Sequence, residues 1–254
     1  MKKMFASLLA TSVLTVATVI MSVQAQAAET IRFATEPTYP PFEFMGKDNQ
    51  LEGFDIDLAR AICNELKAEC TFSSQPFDSL IPSLKFRRFD AVISGMDITP
   101  DRLEEVDFST PYYENSAIFI ANKDEGLTSV KALKGKSVGV QNGSTHQQYL
   151  IDKLESQGVK VRPYDSVQNA FLDLISGRID AVFADKAVAK EWLAKRGEGQ
   201  YAQVGPVVKD PEYFGIGYGI AVRKHNDLKK RIDSALEKLK ENGTYQKIYD
   251  KYFD

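Results

Sequence analysis

The sequence predicts an α/β protein of two similar lobes, each a mostly parallel β-sheet flanked by helices. Strand-like and helix-like segments alternate along the 254 residues, which is typical of parallel sheets. The segments FDAVISGMD (89–97) and IDAVFADKA (179–187) share Asp-Ala-Val, and each follows an amphipathic helix pattern. Because the order of the surrounding segments also repeats, we expect two related units.

The first 27 residues have the pattern of a signal peptide. Two lysines at positions 2 and 3 precede an apolar stretch, and Ala-Gln-Ala at 25–27 is a small-x-small cleavage pattern. A membrane anchor is the alternative, but polar residues interrupt the stretch and no basic cluster follows it. We therefore expect cleavage after Ala27 and a periplasmic protein. No lipid attachment is expected, since the first cysteine is Cys63.

Charge and cysteine content restrict the possible partners. Loss of residues 1–27 would leave 227 residues and move the formal net charge from −3 to −5, because two lysines are removed. A nucleic-acid partner is therefore not expected. Export favours a disulfide between Cys63 and Cys70 over two buried thiols. Neither His146 nor His225 is near them in sequence, so no metal site and no cofactor are expected.

The elements of the first predicted lobe follow from local patterns. A strand at 30–36 ends at the prolines of PTYPPFEF. FDIDLARAICNELKA (54–68) has apolar residues at helical spacing. A shorter helix at 79–86 carries Pro82 near its first turn, where a missing N–H is tolerated. The apolar segment 89–94 is predicted to be a strand.

The second predicted lobe repeats this order. A strand at 137–141 leads through a loop into a helix that ends at Gly158. A helix in SVQNAFLDLISG has Gly177 just beyond its C-terminal end, where glycine is favoured. Another buried strand follows at 179–185.

The C-terminal segment is expected to cross back to the first lobe. A glycine-punctuated strand at 213–223 precedes two helical patterns, the first of which stops at Asn242-Gly243, and too few residues remain for a third domain. Segments 113–123 and 215–223 are then two connecting strands, or hinge strands, between the lobes. The expected division is a signal peptide at 1–27, a first lobe of 28–115 plus 219–254, and a second lobe of 116–218.

Residues at the strand ends should line the cleft between the lobes, since ligands of open α/β sheets bind beyond the carboxyl ends of the strands. The candidates at these ends, with one aromatic residue from a neighbouring loop, are Glu36, Tyr39, Phe77, Ser94, Gly95, Met96, Asp97, Arg102, Ser144, Thr145 and Asp185.

Two of these candidates suit an anion. Arg102 can hold a carboxylate with two parallel hydrogen bonds, or it can pair with Glu104 or Glu105 at the surface. Thr145 lies at a predicted helix N-terminus, where free N–H groups favour a carboxylate, although an ordinary N-cap gives the same pattern.

Four other candidates suit a cation. Asp185 closes an apolar run, where an unpaired carboxylate is costly, so it needs a ligand ammonium, Lys186 or a helix to cap. Glu36 precedes a proline and lies on no solvated helical face. Tyr39 and Phe77 either stack against a cationic group or pack in the hydrophobic core. Together the candidates fit a zwitterion that carries an extra cationic group.

Seven segments carry a family resemblance: FATEPTYPPFEF, GFDIDLARAIC, FDSLIPSLKFRRFDAVISGMDITPDR, FSTPYY, SVGVQNGST, SGRIDAVFAD and NGTYQKIYDKYF. They span nearly the whole chain after the predicted signal peptide. They resemble the periplasmic substrate-binding proteins of polar and basic amino-acid ABC transporters, above all the arginine binders, with lysine/arginine/ornithine and histidine binders similar as well. The resemblance implies a type II periplasmic-binding-protein-like fold. It also implies a disulfide at the spacing of Cys63 and Cys70.

The resemblance implies a role for each residue that holds the ligand backbone. Arg102 corresponds to the arginine that binds the α-carboxylate, with help from the Thr145 backbone, and Asp185 corresponds to the aspartate that receives the α-ammonium. Asp97 departs from the family, because many relatives have Ser or Thr there. Either Asp97 joins Asp185 around the ammonium, or it points away and caps the helix that starts at 100.

The side chain of the ligand has its own set of implied contacts. Tyr39 and Phe77 correspond to the aromatics that sandwich it, and Glu36 to the acid that faces its distal cation. Gln141 and His146 are in positions that contact the same side chain.

The resemblance implies a monomeric solute-binding protein without a cofactor. It would capture a basic L-amino acid by hinge closure, arginine in preference to lysine, ornithine and histidine, and deliver it to an inner-membrane ABC permease. One rival is a dehydratase of the same fold acting on prephenate-like acids, with His146 and Glu36 as an acid/base pair. Another is a ligand-sensing receptor domain, which is less expected because the chain reaches Asp254 without a transmembrane segment after the predicted lobes.

Overall fold

The computed structural model of the chain describes residues 28–197 and 199–253. The predicted signal peptide at 1–27 lies outside the described residues. No helix in the described part of the chain combines the length and the apolar character needed to span a membrane.

The described residues form short strands and helices in alternation. The strands are β1 (Thr30–Thr35), β2 (Thr38–Tyr39), β3 (Glu43–Met45), β4 (Leu51–Glu52), β5 (Glu69–Ser74), β6 (Ala91–Val92), β7 (Val106–Phe108), β8 (Ala117–Asn122), β9 (Ser137–Gln141), β10 (Lys160–Tyr164), β11 (Ala181–Asp185), β12 (Tyr201–Val208) and β13 (Ala221–Arg223). The helices are α1 (Phe54–Glu65), α2 (Leu80–Lys85), α3 (Pro100–Glu105), α4 (Thr145–Tyr149), α5 (Val167–Ile175), α6 (Lys186–Trp192), α7 (Pro211–Phe214), α8 (Leu228–Glu241) and α9 (Thr244–Phe253).

Two five-stranded sheets share one design. The first has the strand order β5–β1–β6–β13–β7 and the second has the order β10–β9–β11–β8–β12. In each sheet the first three strands are parallel, and the fourth is antiparallel to both of its neighbours. The predicted α/β fold of two similar lobes is therefore confirmed. The repeated Asp-Ala-Val segments contain β6 and β11, which take the same place in the two sheets.

The connections between the sheets lie side by side. The chain passes from β7 of the first sheet to β8 of the second, and it returns from β12 to β13. Between these strands, Tyr113 and Tyr218 form an isolated antiparallel bridge. The two crossings are thus hydrogen-bonded to each other, as two parts of one hinge would be.

The continuous strand predicted at 213–223 is wrong. Pro211–Phe214 is α7, and only Ala221–Arg223 forms a strand. Gly215 and Gly217 have φ angles of 56° and 110°, which interrupt an extended conformation. A Cβ at Gly217 would lie 2.2 Å from the carbonyl oxygen of Tyr113, so the crossings approach each other too closely for a side chain.

The segment PTYPPFEF contains more structure than the sequence predicts. Thr38–Tyr39 and Glu43–Met45 form β2 and β3, which pair with each other, and β3 also pairs with β4 in a separate antiparallel sheet. The prolines end β1 as expected, but the chain then turns back on itself. This small sheet brings Glu43 toward the N-terminal end of α1.

Helix ends and the disulfide agree closely with the sequence. Gly177 and Gly243, with φ angles of 69° and 77°, follow α5 and α8 as left-handed residues. Cys63 at the end of α1 is bonded to Cys70 on β5, with a Cα–Cα distance of 5.9 Å. This bond confirms the predicted disulfide, and closing so short a loop stabilises the fold by roughly 2–3 kcal/mol on a chain-entropy model.

Candidate functional site

The carboxyl ends of parallel strands from both lobes meet at one cavity. β9 ends at Gln141, β11 ends at Asp185, and Glu36 follows directly after β1. The cavity is lined by Glu36, Tyr39, Glu43, Phe77, Ser94, Gly95, Asp97, Gln141, Ser144, Thr145, His146 and Asp185. All of the candidates named from the sequence are in this set except two. Met96 packs in the apolar core of the first lobe, and Arg102 lies beside the cavity.

The cavity is contracted, and hydrogen bonds between the lobes close it. Its volume is about 10 Å³, roughly the room for one water molecule. Gln141 Nε2 donates to Glu36 Oε2 at 3.2 Å, and Thr145 Oγ1 donates to Asp97 Oδ2 at 2.7 Å. A ligand larger than a water molecule therefore enters only when the lobes separate and these contacts open.

Glu36 is a buried acid held by neutral donors. Its Oε1 accepts a hydrogen bond from Thr38 Oγ1 at 2.7 Å, and its Oε2 accepts from Gln141. Its own N–H donates to Ser94 Oγ at 3.0 Å, which joins the ends of β1 and β6. Burial raises the pKa of Glu36 from its ordinary value. A cation that neared this carboxyl group would favour its ionised form.

Asp97 points into the cavity and does not cap the following helix. Asn115 Nδ2 donates to its Oδ1 at 2.9 Å, while Thr145 Oγ1 donates to its Oδ2. The N-cap of α3 is Thr99, whose Oγ1 accepts from Arg102 N at 3.3 Å. Burial, together with the nearby charge of Asp185, raises the pKa of Asp97 to about 7.

Asp185 contacts groups from both lobes at the end of β11. The hydroxyl of Tyr39 donates to its Oδ2. Its Oδ1 lies 3.2 Å from His146 Nε2, but the two atoms are not aligned for a hydrogen bond. Burial acts to raise the pKa of Asp185, but His146 and the hydrogen-bonding hydroxyl outweigh burial and lower it. Asp185 therefore keeps a negative charge inside the closed site.

Arg102 lies at the edge of the cavity, between the lobes. Its Nη1 donates to the carbonyl oxygen of Asp97 at 3.0 Å, which fixes the guanidinium. Its Nη2 reaches the carbonyl oxygen of Gly143 in the second lobe at 3.4 Å, a long bond for this pair of atoms. The guanidinium carbon is 5.5 Å from the centre of the Phe77 ring. This geometry leaves one edge of the guanidinium weakly held.

Two aromatic residues form walls of the cavity. Tyr39 belongs to β2, and Phe77 begins the 3₁₀ turn Phe77–Ser79 that leads into α2. Both side chains are buried. One difference from the sequence-based hypothesis is that the ring of Phe77 already faces a guanidinium, that of Arg102.

The sequence hypothesis did not include an acid pair at the cavity, in which Glu43 belongs to the wall and Asp55 lies behind it. Glu43, only 1% exposed, accepts from Ser94 Oγ at 2.8 Å. Asp55 of α1 is fully buried and accepts from Gly95 N and from the Tyr112 hydroxyl, both at 2.8 Å. The two acids are neighbours, since they accept hydrogen bonds from the adjacent residues Ser94 and Gly95, and the charge of Asp55 helps to raise the pKa of Glu43.

Local sequence context hides this pair. Acids are common in the first turn of a helix, where they offset the helix dipole, so Asp55 needs no other explanation. Glu43 follows a run of prolines, where no regular strand is expected. The available signal is that each acid has phenylalanine beside it and apolar neighbours, as in PPFEF and GFDID. An acid in that setting is costly unless it has partners.

The cavity wall is strongly acidic. Glu36, Glu43, Asp97 and Asp185 line it, whereas His146 is the one lining residue that can carry a positive charge. Groups of this kind attract a ligand with more positive than negative charge. The adjoining Arg102 adds an anion-binding group at one edge.

Comparisons with known proteins agree with this geometry. The model of the bacterial extracellular solute-binding proteins, family 3, matches residues 31–254. ABC transporter arginine-binding protein 1 of Escherichia coli (strain K12) is 55% identical over 230 residues, 90% of this chain and 93% of the relative. The histidine-binding periplasmic protein of the same strain is 39% identical over 229 residues, 89% of this chain and 88% of the relative.

A solved structure is similar along nearly the whole fold. It is a Salmonella typhimurium periplasmic binding protein, described for the structural basis of its high arginine specificity. It is 48% identical with a TM-score of 0.84, and the match covers 89% of this chain and 100% of that one. This chain therefore belongs to the bacterial extracellular solute-binding proteins of family 3. It is a solute-binding protein, and the dehydratase and receptor-domain alternatives are not favoured.

Proposed function

We propose that this protein captures a basic L-amino acid, with arginine preferred over lysine, ornithine and histidine, and delivers it to an inner-membrane ABC permease. The observation that carries the proposal is the acidic cavity wall beside a single arginine. The relatives named for arginine binding support the choice of ligand.

Arg102 is the proposed anchor of the α-carboxylate. Its weak contact with Gly143 O can be exchanged for two bonds to a carboxylate, which is the stronger acceptor. The Thr145 backbone and the backbone of 94–96 would line the same end of the ligand. Asp185 would receive the α-ammonium in place of the Tyr39 hydroxyl, with Asp97 next to it.

Glu36 is the proposed partner of the distal cation. Breaking a buried, hydrogen-bonded charge pair costs roughly 2–5 kcal/mol, whereas stacking a guanidinium on Tyr39 and Phe77 contributes about 0.5–2 kcal/mol. Charge, more than stacking, should therefore separate arginine from neutral amino acids. Gln141 and His146 would contact the ligand side chain.

Hinge closure is the proposed route to capture. The cavity is too small for an amino acid in the closed arrangement, and the paired crossings at Tyr113 and Tyr218 are suited to act as the hinge. We place the lobe boundaries at 28–115 plus 219–254 and at 116–218. Export with cleavage after Ala27, a periplasmic location and a monomeric state complete the proposal.

A thermal-shift screen tests the proposal. The purified mature protein is heated with each of the twenty amino acids, ornithine and citrulline. A ligand at about one hundred times its dissociation constant stabilises by roughly 2.7 kcal/mol, or about 5–10 °C for a chain of this size. Arginine is expected to give the largest shift. A larger shift with a neutral or acidic amino acid, or none with any of them, contradicts the proposal.

A further inference from the structure

Glu43 and Asp55 form a buried acid pair at the candidate site. Glu43 lies on β3 and Asp55 in the first turn of α1. A Cβ at Gly53 would lie 2.1 Å from the carbonyl oxygen of Phe42, so only glycine lets β3 approach the helix this closely. The backbone thus holds the two acids together.

Among the described residues, hydrogen-bond donors reach only one oxygen of each carboxyl group in this pair. Glu43 Oε1 has the Ser94 hydroxyl, and Asp55 Oδ2 has the Gly95 N–H and the Tyr112 hydroxyl. Glu43 Oε2 and Asp55 Oδ1 are buried and have no donor among residues 28–197 and 199–253. Two ionised carboxylates only accept hydrogen bonds, so the remaining oxygens require one proton between them.

The groups around the pair do not supply a positive charge. Ser94 and Gly95 come from the loop after β6, Tyr112 from the crossing, and Tyr245 from α9. Glu36 at the end of β1 adds a negative charge. In the described part of the chain, no Lys, Arg or His forms an ion pair with either acid.

Burial acts on both acids in the same direction. It raises the pKa of Glu43 well above its ordinary value, and the nearby charge of Asp55 adds to this. Burial also raises the pKa of Asp55 to about 7, against the effect of its N–H and hydroxyl donors. One proton on the pair near neutral pH is consistent with the hydrogen bonds.

The pair is connected to the ligand site through Ser94. This hydroxyl accepts from Glu36 N and donates to Glu43 Oε1. Glu43 itself lines the cavity next to Glu36. A cation placed against Glu36 would therefore also lie near the pair and would favour its fully ionised form.

We propose that Glu43 and Asp55 share one proton in the unliganded protein, and that binding of a cationic amino-acid side chain releases this proton to solvent. The inference rests on the proposed function. The proton leaves the hydrogen bond between the two carboxyl groups, and the cation compensates the charge that remains. Capture of a basic amino acid is then linked to pH through the Glu43–Asp55 pair.

Calorimetry in two buffers of different ionisation enthalpy, such as phosphate and Tris, measures the number of protons released on binding. Arginine and citrulline are titrated into the protein near neutral pH. We expect arginine to release on the order of half a proton to one proton more than citrulline, which is nearly the same shape but neutral. Proton release by Asp97 would occur with both ligands, since both carry an α-ammonium, and it cancels in the difference.

Variants assign the proton to the pair. The difference should vanish in Glu43→Gln and in Asp55→Asn and persist in Glu104→Gln, an exposed acid of α3. Equal proton release by both ligands in the wild type overturns the proposal. A difference that survives in Glu43→Gln also overturns it, because the proton would then belong to Glu36.

Infrared spectroscopy of the unliganded protein separates this inference from the proposed function. The protonated carboxyl band should lose intensity in Glu43→Gln, in addition to any part of it that Asp97→Asn or Glu36→Gln removes. No loss of intensity in Glu43→Gln overturns the shared proton even if arginine binds. If Glu43→Gln lowers the band but no basic amino acid binds to the wild type, the proposed function fails and the linked release fails with it.

Discussion

Two pairs of buried carboxyl groups at the candidate site differ in what surrounds them. Asp97 and Asp185 come from different lobes, with His146 and Arg102 beside them. Glu43 and Asp55 come from one lobe and meet only neutral donors.

The different surroundings give different protonation. In the first pair the two pKa values move apart, since that of Asp97 is raised to about 7 and that of Asp185 is lowered. In the second pair, burial raises the pKa values of both Glu43 and Asp55. The comparison teaches that neighbouring cations and donors, more than the number of acids, decide which carboxyl group keeps its charge.

Removing the cation beside the first pair should have the largest effect. Arg102→Ala is expected to weaken binding of every L-amino acid by at least about one hundredfold, because a buried carboxylate would lose a charged partner. Calorimetry with arginine, lysine and citrulline measures this, with the exposed Arg88→Ala as the control. If only basic ligands were lost, Arg102 would serve to offset Asp97 and would not anchor the carboxylate.

The opposite pKa shifts within the first pair predict opposite effects of pH on stability. Asp97 has a folded pKa of about 7, above its unfolded value, so its contribution to the free energy of unfolding is present at low pH and is lost as the pH rises through about 7. Asp185 has a lowered pKa, so its contribution is present above its unfolded pKa and is lost as the pH falls through its folded value.

Substitution of each acid tests these signs by urea unfolding of the unliganded protein. As the pH rises from about 5 to about 8, the free energy of unfolding of Asp97→Asn relative to wild type should increase by about 1–3 kcal/mol. Asp185→Asn is the matched control and should show no such gain over this range. The same gain in both variants would mean that the two acids share one environment.

Several elements could be predicted from the sequence because local chemistry determines them. Glycine just past an apolar periodic run ends a helix, as at Gly177 and Gly243. Asp185 was identifiable because it closes a fully apolar strand. Alternation of strands and helices, with one repeated segment, was sufficient for the two-lobed α/β fold.

Other features depend on contacts between segments distant in the chain. The orientation of Asp97 is set by Asn115 and by Thr145 of the other lobe, and no local pattern encodes either contact. Glu43 meets Asp55 only because the chain folds back through β3. The strand predicted at 213–223 was wrong because its glycines permit the close crossing of the chain near Tyr113.

In the proposed function, the buried acid Glu36 recognises the charge of the ligand side chain. The most direct test is calorimetry of arginine and citrulline binding to the wild type and to Glu36→Gln, with Glu104→Gln as an exposed control. We expect Glu36→Gln to weaken the binding of arginine by at least about tenfold, or about 1.4 kcal/mol. The affinity for citrulline should change by less than about threefold. An unchanged arginine affinity, or equal loss for both ligands, would contradict the claim.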